Sequence, residues 1–150
     1  MSNQDFLSHT KRLKNFSGIA TDSISASGGI GTLWKKRKWD LTSHKASNWW
    51  LRTDIKNIVS NEEYTILNIY APNHYRDKVY CWESINLELQ DSQDSNIFLG
   101  GDLNLIRNSE EKIGGNFLAD PSRDSLEAII ETYNLINIPP INGKFTWSNK

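Results

Sequence analysis

The sequence predicts an α/β domain of the α+β kind, a mixed sheet with helices outside it, and three observations carry that expectation. Runs rich in β-branched and aromatic residues fill the first half, two amphipathic helix-length segments follow, and one wholly apolar run stands between those segments. Successive strands pair through short loops, whereas strands separated by a helix pair through a crossover. The order β-β-β-β-α-β-α-β therefore gives hairpins early and crossovers late.

At 150 residues the chain is expected to form one domain with one core. Hydrophobic residues make up 37%, with six Trp, which is globular rather than disordered composition. A net charge of −1 argues against wholesale wrapping of nucleic acid and leaves room for a local basic patch. Cys81 is the single cysteine, so neither an intramolecular disulfide nor a thiolate metal cluster can form. No apolar run approaches the roughly 20 residues that span a bilayer, and Met1 to Leu13 is unlike a secretory signal; the expectation is an intracellular protein, nuclear or cytoplasmic.

In chain order, Phe6, Leu7, Thr10 and Leu13 fall at helical spacing near the start. Phe16 to Asp22 and Gly29 to Trp34 read as strands. Lys35-Lys36-Arg37-Lys38 follows, flanked by Trp34 and Trp39. Four consecutive cations stay in water, so the run is either a solvated hairpin tip or a phosphate-contacting loop whose indoles pack or stack on bases. A polar loop carrying His44 leads to a strand over Trp49 to Val59, with Leu51, Thr53 and Ile55 on one face. Glu63 to Tyr70 is the clearest strand, closed by Ala71-Pro72-Asn73. Tyr75 to Gln90 is a helix with Val79, Trp82, Ile85 or Asn86, and Leu89 along one stripe, and Cys81 on it is inert filler. Later, Asp120-Pro121 supplies an N-cap and an N1 proline for a second helix with Leu126, Ile129, Ile130 and Tyr133 buried. Leu135 to Ile138 and Lys144 to Trp147 read as short strands.

The stretch that organises the rest is Asn96-Ile97-Phe98-Leu99-Gly100-Gly101-Asp102-Leu103-Asn104. Ile97, Phe98 and Leu99 read as a strand buried on both faces, ended by two glycines. In an extended segment, side chains two apart point the same way, so Asp102 and Asn104 are expected together at the C-terminal rim of the sheet. Open α/β sheets keep their ligands at that rim. There the pair either hydrogen-bonds its own turn or forms a phosphate-ester site, in which a carboxylate activates water and a neutral amide donates to a phosphate oxygen.

Four stretches in order, Ser27-Gly28-Gly29-Ile30-Gly31-Thr32-Leu33-Trp34, Leu67-Asn68-Ile69-Tyr70-Ala71-Pro72-Asn73, Gly100-Gly101-Asp102-Leu103-Asn104 and Gly143-Lys144-Phe145-Thr146-Trp147-Ser148-Asn149, resemble the endonuclease/exonuclease/phosphatase superfamily. Ser-Gly-Gly before Leu-Trp and the ending Phe-Thr-Trp-Ser-Asn are similar to the endonuclease domain of plant LINE-type (non-LTR) retrotransposons. The resemblance implies a four-layer α/β sandwich of deoxyribonuclease-I type, two mixed sheets face to face with outer helices, present here in part. It implies that Asp102 positions or activates the attacking water, that Asn104 contacts the scissile phosphate and that the Tyr70 hydroxyl stabilises the transition state. It further implies magnesium in intact relatives, and DNA as partner.

The family's magnesium-holding glutamate and its Asp-His pair have no match; Gln4-Asp5 lies in no apolar strand, and His9, His44 and His74 lie in the wrong places. The expectation is thus a single endonuclease domain truncated at both ends, inactive by itself and binding no metal tightly. Two alternatives are a nucleic-acid-binding remnant using Lys35, Lys36, Arg37 and Lys38, and a phosphoesterase acting on a small phosphorylated substrate. Strands Ile66 to Tyr70 and Ile97 to Gly100, left without neighbours, are expected to present apolar edges that drive self-association.

Overall fold

A computed structural model of the chain describes residues 6, 8–9, 13–21, 29–92, 96–111, 113–114, 119–139 and 141, the side chain of 91 excepted. It has an α+β fold whose contacts gather into two compact units, Met1–Ala71 with Leu89–Leu103, and Pro72–Glu88 with Asn104–Lys150.

The first unit holds every described strand. β1 (Phe16–Ala20) and β2 (Gly31–Lys35) form an antiparallel pair. Alternation in β2 buries Thr32 and Trp34 and leaves Leu33 outside. The ring of Phe6 lies against Gly18 and Gly31, where a Cβ on Gly31 would come within 2.5 Å of it. The second sheet has the order β3 (Trp39–Ala46), β4 (Trp50–Asn57), β5 (Glu63–Tyr70), β6 (Asn96–Asp102). β3, β4 and β5 run antiparallel through short turns, and β6 lies parallel to β5. The sheet is therefore mixed, as expected, while the β1–β2 pair is purely antiparallel. Leu51, Thr53, Ile55, Leu67 and Ile69 are buried, giving the second sheet apolar cover on both faces of β4 and β5. The two sheets touch where the Asn68 amide donates to the Gly31 carbonyl oxygen at 2.8 Å.

β3 corrects the expectation of a polar loop around His44. Every residue from Asp40 to Ala46 is exposed, so the sequence carries no apolar alternation there. The strand exists because its backbone pairs with β4 and its side chains meet a polar seam. Asp54 accepts from the Ser43 hydroxyl at 2.5 Å, the Thr65 hydroxyl at 2.8 Å and Arg52 Nε at 3.0 Å. A bulge between Leu41 and Ser43 lets the Thr42 hydroxyl donate to the Asp54 carbonyl at 3.1 Å.

The central run is also corrected. Ile97 and Leu99 are half-buried, but Phe98 is 47% exposed, because β6 has a strand on one side only among the described residues. β5, expected to present an apolar edge, instead lies between β4 and β6 with both sides paired.

The second unit carries α1 (Tyr75–Leu89) except its last residue, and α2 (Arg123–Thr132). On α1 the buried side chains are Lys78, Cys81, Trp82, Ile85 and Leu89, a stripe shifted slightly from the expected one. Burial pushes the Cys81 thiol up to about 12, so it stays protonated and unreactive at neutral pH. α2 begins two residues later than expected, at Arg123, with Ser122 as N-cap. Asp120 instead closes a turn: its Oδ1 accepts from the Ser122 N–H at 2.9 Å and the Ser122 hydroxyl at 2.6 Å. Leu126 and Ile129 are buried, while Ile130 and Tyr133 are half-buried. Leu135 to Ile138 is no strand; Ile136 and Ile138 are exposed, having no sheet to join in this unit among the described residues. The expected strand Lys144 to Trp147 lies outside the described residues, as do Gln4-Asp5 and Ser27-Gly28.

Candidate functional site

The rim at the C-terminal ends of β5 and β6 is built by one close contact. In the parallel register Ile69 stands beside Gly101 and Tyr70 beside Asp102. Gly101 has φ 128°, and a Cβ there would lie 2.0 Å from the Ile69 carbonyl oxygen, so only glycine lets the two backbones approach. Gly100 is different: nothing lies within 4 Å of its Cβ position. One glycine of the pair is thus dictated by geometry and the other is not.

The register sets Tyr70 directly beside Asp102 at the ends of β5 and β6, and both residues are exposed. Backbone bonds fix this end: the Ala71 N–H donates to the Asp102 carbonyl and the Tyr70 N–H to the Trp49 carbonyl, each at 2.8 Å. Asn68, two residues before Tyr70 on the same face, ties the rim to β2 through Gly31. Sequence reasoning gave Asn68 no separate role; its signal was a lone amide inside the apolar run Ile66-Leu67-Asn68-Ile69.

Asn104 lies in the second unit. β6 ends at Asp102, and Asn104 has φ 45°, a left-handed conformation that asparagine tolerates better than most residues. The two residues do not share one extended segment, contrary to the expectation from their spacing. Beyond Asn104 the loop is anchored by Arg107, whose Nε and Nη2 donate to the two Glu127 oxygens at 2.7 and 2.8 Å, and whose backbone N–H donates to Glu111 at 2.8 Å. The Arg107 bonds hold the Glu127 carboxyl below the ordinary range.

The cationic run sits elsewhere. Lys35 ends β2, and Lys36 to Lys38 form an exposed turn into β3, so the run links the two sheets rather than closing a hairpin. The Ile58 N–H donates to the Lys38 carbonyl at 3.0 Å, which places the turn near the β4–β5 connection, at the end of β5 opposite Tyr70. Seven residue steps along β5, from Glu63 to Tyr70, separate the two ends, about 23 Å at roughly 3.3 Å per residue. Trp34 is buried, and Trp39 meets the Tyr64 ring edge-on at 5.2 Å. Both indoles are occupied by packing.

Among the described residues no three His, Cys, Asp or Glu side chains gather closely enough to hold a metal ion. Among them, too, no helix is long and apolar enough to cross a membrane.

No family model and no curated protein matches the chain. Solved structures do match. An endonuclease/exonuclease/phosphatase from Bacteroides vulgatus aligns with TM-score 0.61 at 11% identity, over 87% of this chain and 54% of that one. A mannosyl-6-phosphatase from Bacteroides thetaiotaomicron gives 0.61 and 11%, over 85% and 53%. TDP2 from D. rerio, solved with a single-strand DNA product, gives 0.54 and 10%, over 71% and 46%. The chain spans about half the length of these structures. At such identities the likeness concerns architecture, and that architecture is the endonuclease/exonuclease/phosphatase, or DNase I-like, fold.

Proposed function

We propose that the chain carries the phosphate-contacting rim of a phosphodiesterase of the LINE-type endonuclease kind, with DNA as the substrate class. The single observation supporting this is the Tyr70–Asp102 pair, set side by side at the rim where Gly101 closely approaches Ile69. In this reading Asp102 orients and deprotonates the attacking water, while the Tyr70 hydroxyl donates to a phosphoryl oxygen as negative charge grows on it. Magnesium in whole proteins of this kind would neutralise phosphate charge. The described carboxylates make no complete ligand set for it, so no step is routed through the ion. Groups that act as a unit lose activity together, and this chain matches only part of the family's set. It is therefore proposed to be inactive alone.

The test is a titration of the chain with a short DNA duplex in magnesium buffer, followed by backbone NMR. Shifts should centre on Tyr70 and Asp102 and vanish in Tyr70→Phe with Asp102→Ala. Shifts confined to other residues would overturn the rim assignment.

The exposure of Lys35, Lys36, Arg37 and Lys38 favours a second reading, in which this turn contacts nucleic-acid phosphates without taking part in chemistry.

A further inference from the structure

Three turns of the first unit come together at the end of β5 away from Tyr70. Backbone bonds tie the cationic turn to both of its neighbours. The Lys36 N–H donates to the Asn15 carbonyl oxygen and the Ile58 N–H to the Lys38 carbonyl oxygen, each at 3.0 Å. Four consecutive cations stay in water whatever else a chain carries, so this turn is surface, and the turns bonded to it are held at the same surface. What the neighbours add is aliphatic. Leu13 and Ile58 are exposed, and Val59 is 86% exposed. The turn that carries Val59 is well formed: the Asn57 Oδ1 accepts from the Val59 and Ser60 N–H groups at 2.9 and 3.2 Å, and Asn61 takes the left-handed φ of 60°. Lys14, beside Leu13, adds a fifth exposed cation. The carboxylates at this end are engaged or outnumbered: Glu62 accepts from the Ser60 and Tyr64 hydroxyls, Glu63 lies 3.8 Å from Lys56, and Asp40 follows Trp39 in β3.

We propose that these turns dock on an anionic lipid surface, with Lys14, Lys35, Lys36, Arg37 and Lys38 against the headgroups and Leu13, Ile58 and Val59 entering the headgroup–acyl boundary. Such a surface uses both parts of the cluster. Each Lys or Arg near anionic headgroups strengthens binding about fivefold. Aliphatic side chains strengthen it further by leaving water, and two weak signals together hold a protein at a bilayer. Nucleic acid uses the cations alone, since bases stack on aromatic rings and both indoles here are packed. This inference does not rest on the phosphodiesterase reading.

The test is cosedimentation of the 150-residue chain with vesicles of phosphatidylcholine containing about one third phosphatidylserine, and with vesicles of phosphatidylcholine alone. The chain should bind the first and not the second. Replacing Lys35, Lys36, Arg37 and Lys38 with Ser should weaken binding about a hundredfold or more. Ile58→Ser with Val59→Ser, which alters no charge, should weaken it about tenfold and leave DNA affinity unchanged. Val59→Cys carrying a polarity-sensitive dye should shift to shorter emission wavelength on the anionic vesicles only; the buried Cys81 does not take the label. Absence of binding to the anionic vesicles, or equal binding to both kinds, overturns the proposal. So does binding that is lost with the cations but indifferent to Ile58→Ser with Val59→Ser. A chain that binds duplex DNA through the four cations and neither vesicle assigns the turn to nucleic acid instead. If a Ser variant fails to fold, the dye decides alone, and an unshifted emission overturns the proposal.

Discussion

Single atoms decide the most consequential positions. At Gly101 a methyl group would sit 2.0 Å from the Ile69 carbonyl oxygen on a backbone with φ 128°, so both space and conformation exclude it. Gly101→Ala is expected to cost on the order of 3 kcal/mol or more, while Gly100→Ala should be near neutral. Urea unfolding of both variants checks this; equal midpoints would show that the rim relaxes freely. Asp120 is the second such position. Burial alone would raise its carboxyl, but bonds from the Lys78 ammonium, the Ser122 hydroxyl and the Ser122 N–H outweigh that and hold it below its ordinary value. A carboxyl depressed in the folded state stabilises above its unfolded pKa, about 3.9, and that stability is lost as pH falls through the folded value. Lys78 is buried, so Lys78→Met leaves a carboxylate unpaired and should cost about 3 to 5 kcal/mol at pH 7. The loss should shrink below pH 4 as Asp120 protonates. A cost that does not change with pH would assign the effect to packing.

At the scale of elements, β3 is held by backbone pairing and by one carboxylate rather than by a hydrophobic face. Asp54 collects donors from Ser43 in β3, Arg52 in β4 and Thr65 in β5, stitching three strands. Asp54→Ala should therefore loosen β3 selectively. Hydrogen exchange should show faster amides over Trp39 to Ala46, with the β4–β5 ladder still protected. Uniform loss across the sheet would mean that β3 belongs to the same cooperative unit as its neighbours. β5 shows the opposite design: paired on both sides and buried at Thr65, Leu67 and Ile69, it carries the rim residue Tyr70 on an interior strand of the sheet. A candidate site benefits from such support, since a small displacement of a reacting group is costly.

For the molecule as a whole, the separation of the cationic turn from the Tyr70–Asp102 rim makes two measurements independent. Supercoiled plasmid incubated with the chain and magnesium should not be nicked; nicking abolished by Asp102→Ala would overturn the proposed inactivity and retain the site. DNA affinity measured against salt should lose about one unit of slope for each phosphate contact removed. Replacing Lys35, Lys36, Arg37 and Lys38 with Ser lowers the slope if the turn binds phosphates. An unchanged slope returns the run to a solvated turn.

The apolar and β-branched runs determined β1, β2, β4, β5 and both helices by themselves, because burying one face imposes a period that composition displays directly. The glycine pair was expected to end the strand, yet β6 runs on through both glycines to Asp102, because each pairs with a residue of β5. Whatever depended on a neighbour was settled only in three dimensions. β3 has no apolar period, so its strand state came from β4 and Asp54. Phe98 looks like core and is half exposed, because a strand's burial is set by how many strands flank it. Asp102 and Asn104 are two apart in sequence, yet the end of β6 and a left-handed Asn104 broke the extended spacing. Tyr70 and Asp102, 32 residues apart, became side-by-side partners through a parallel register that no local pattern encodes.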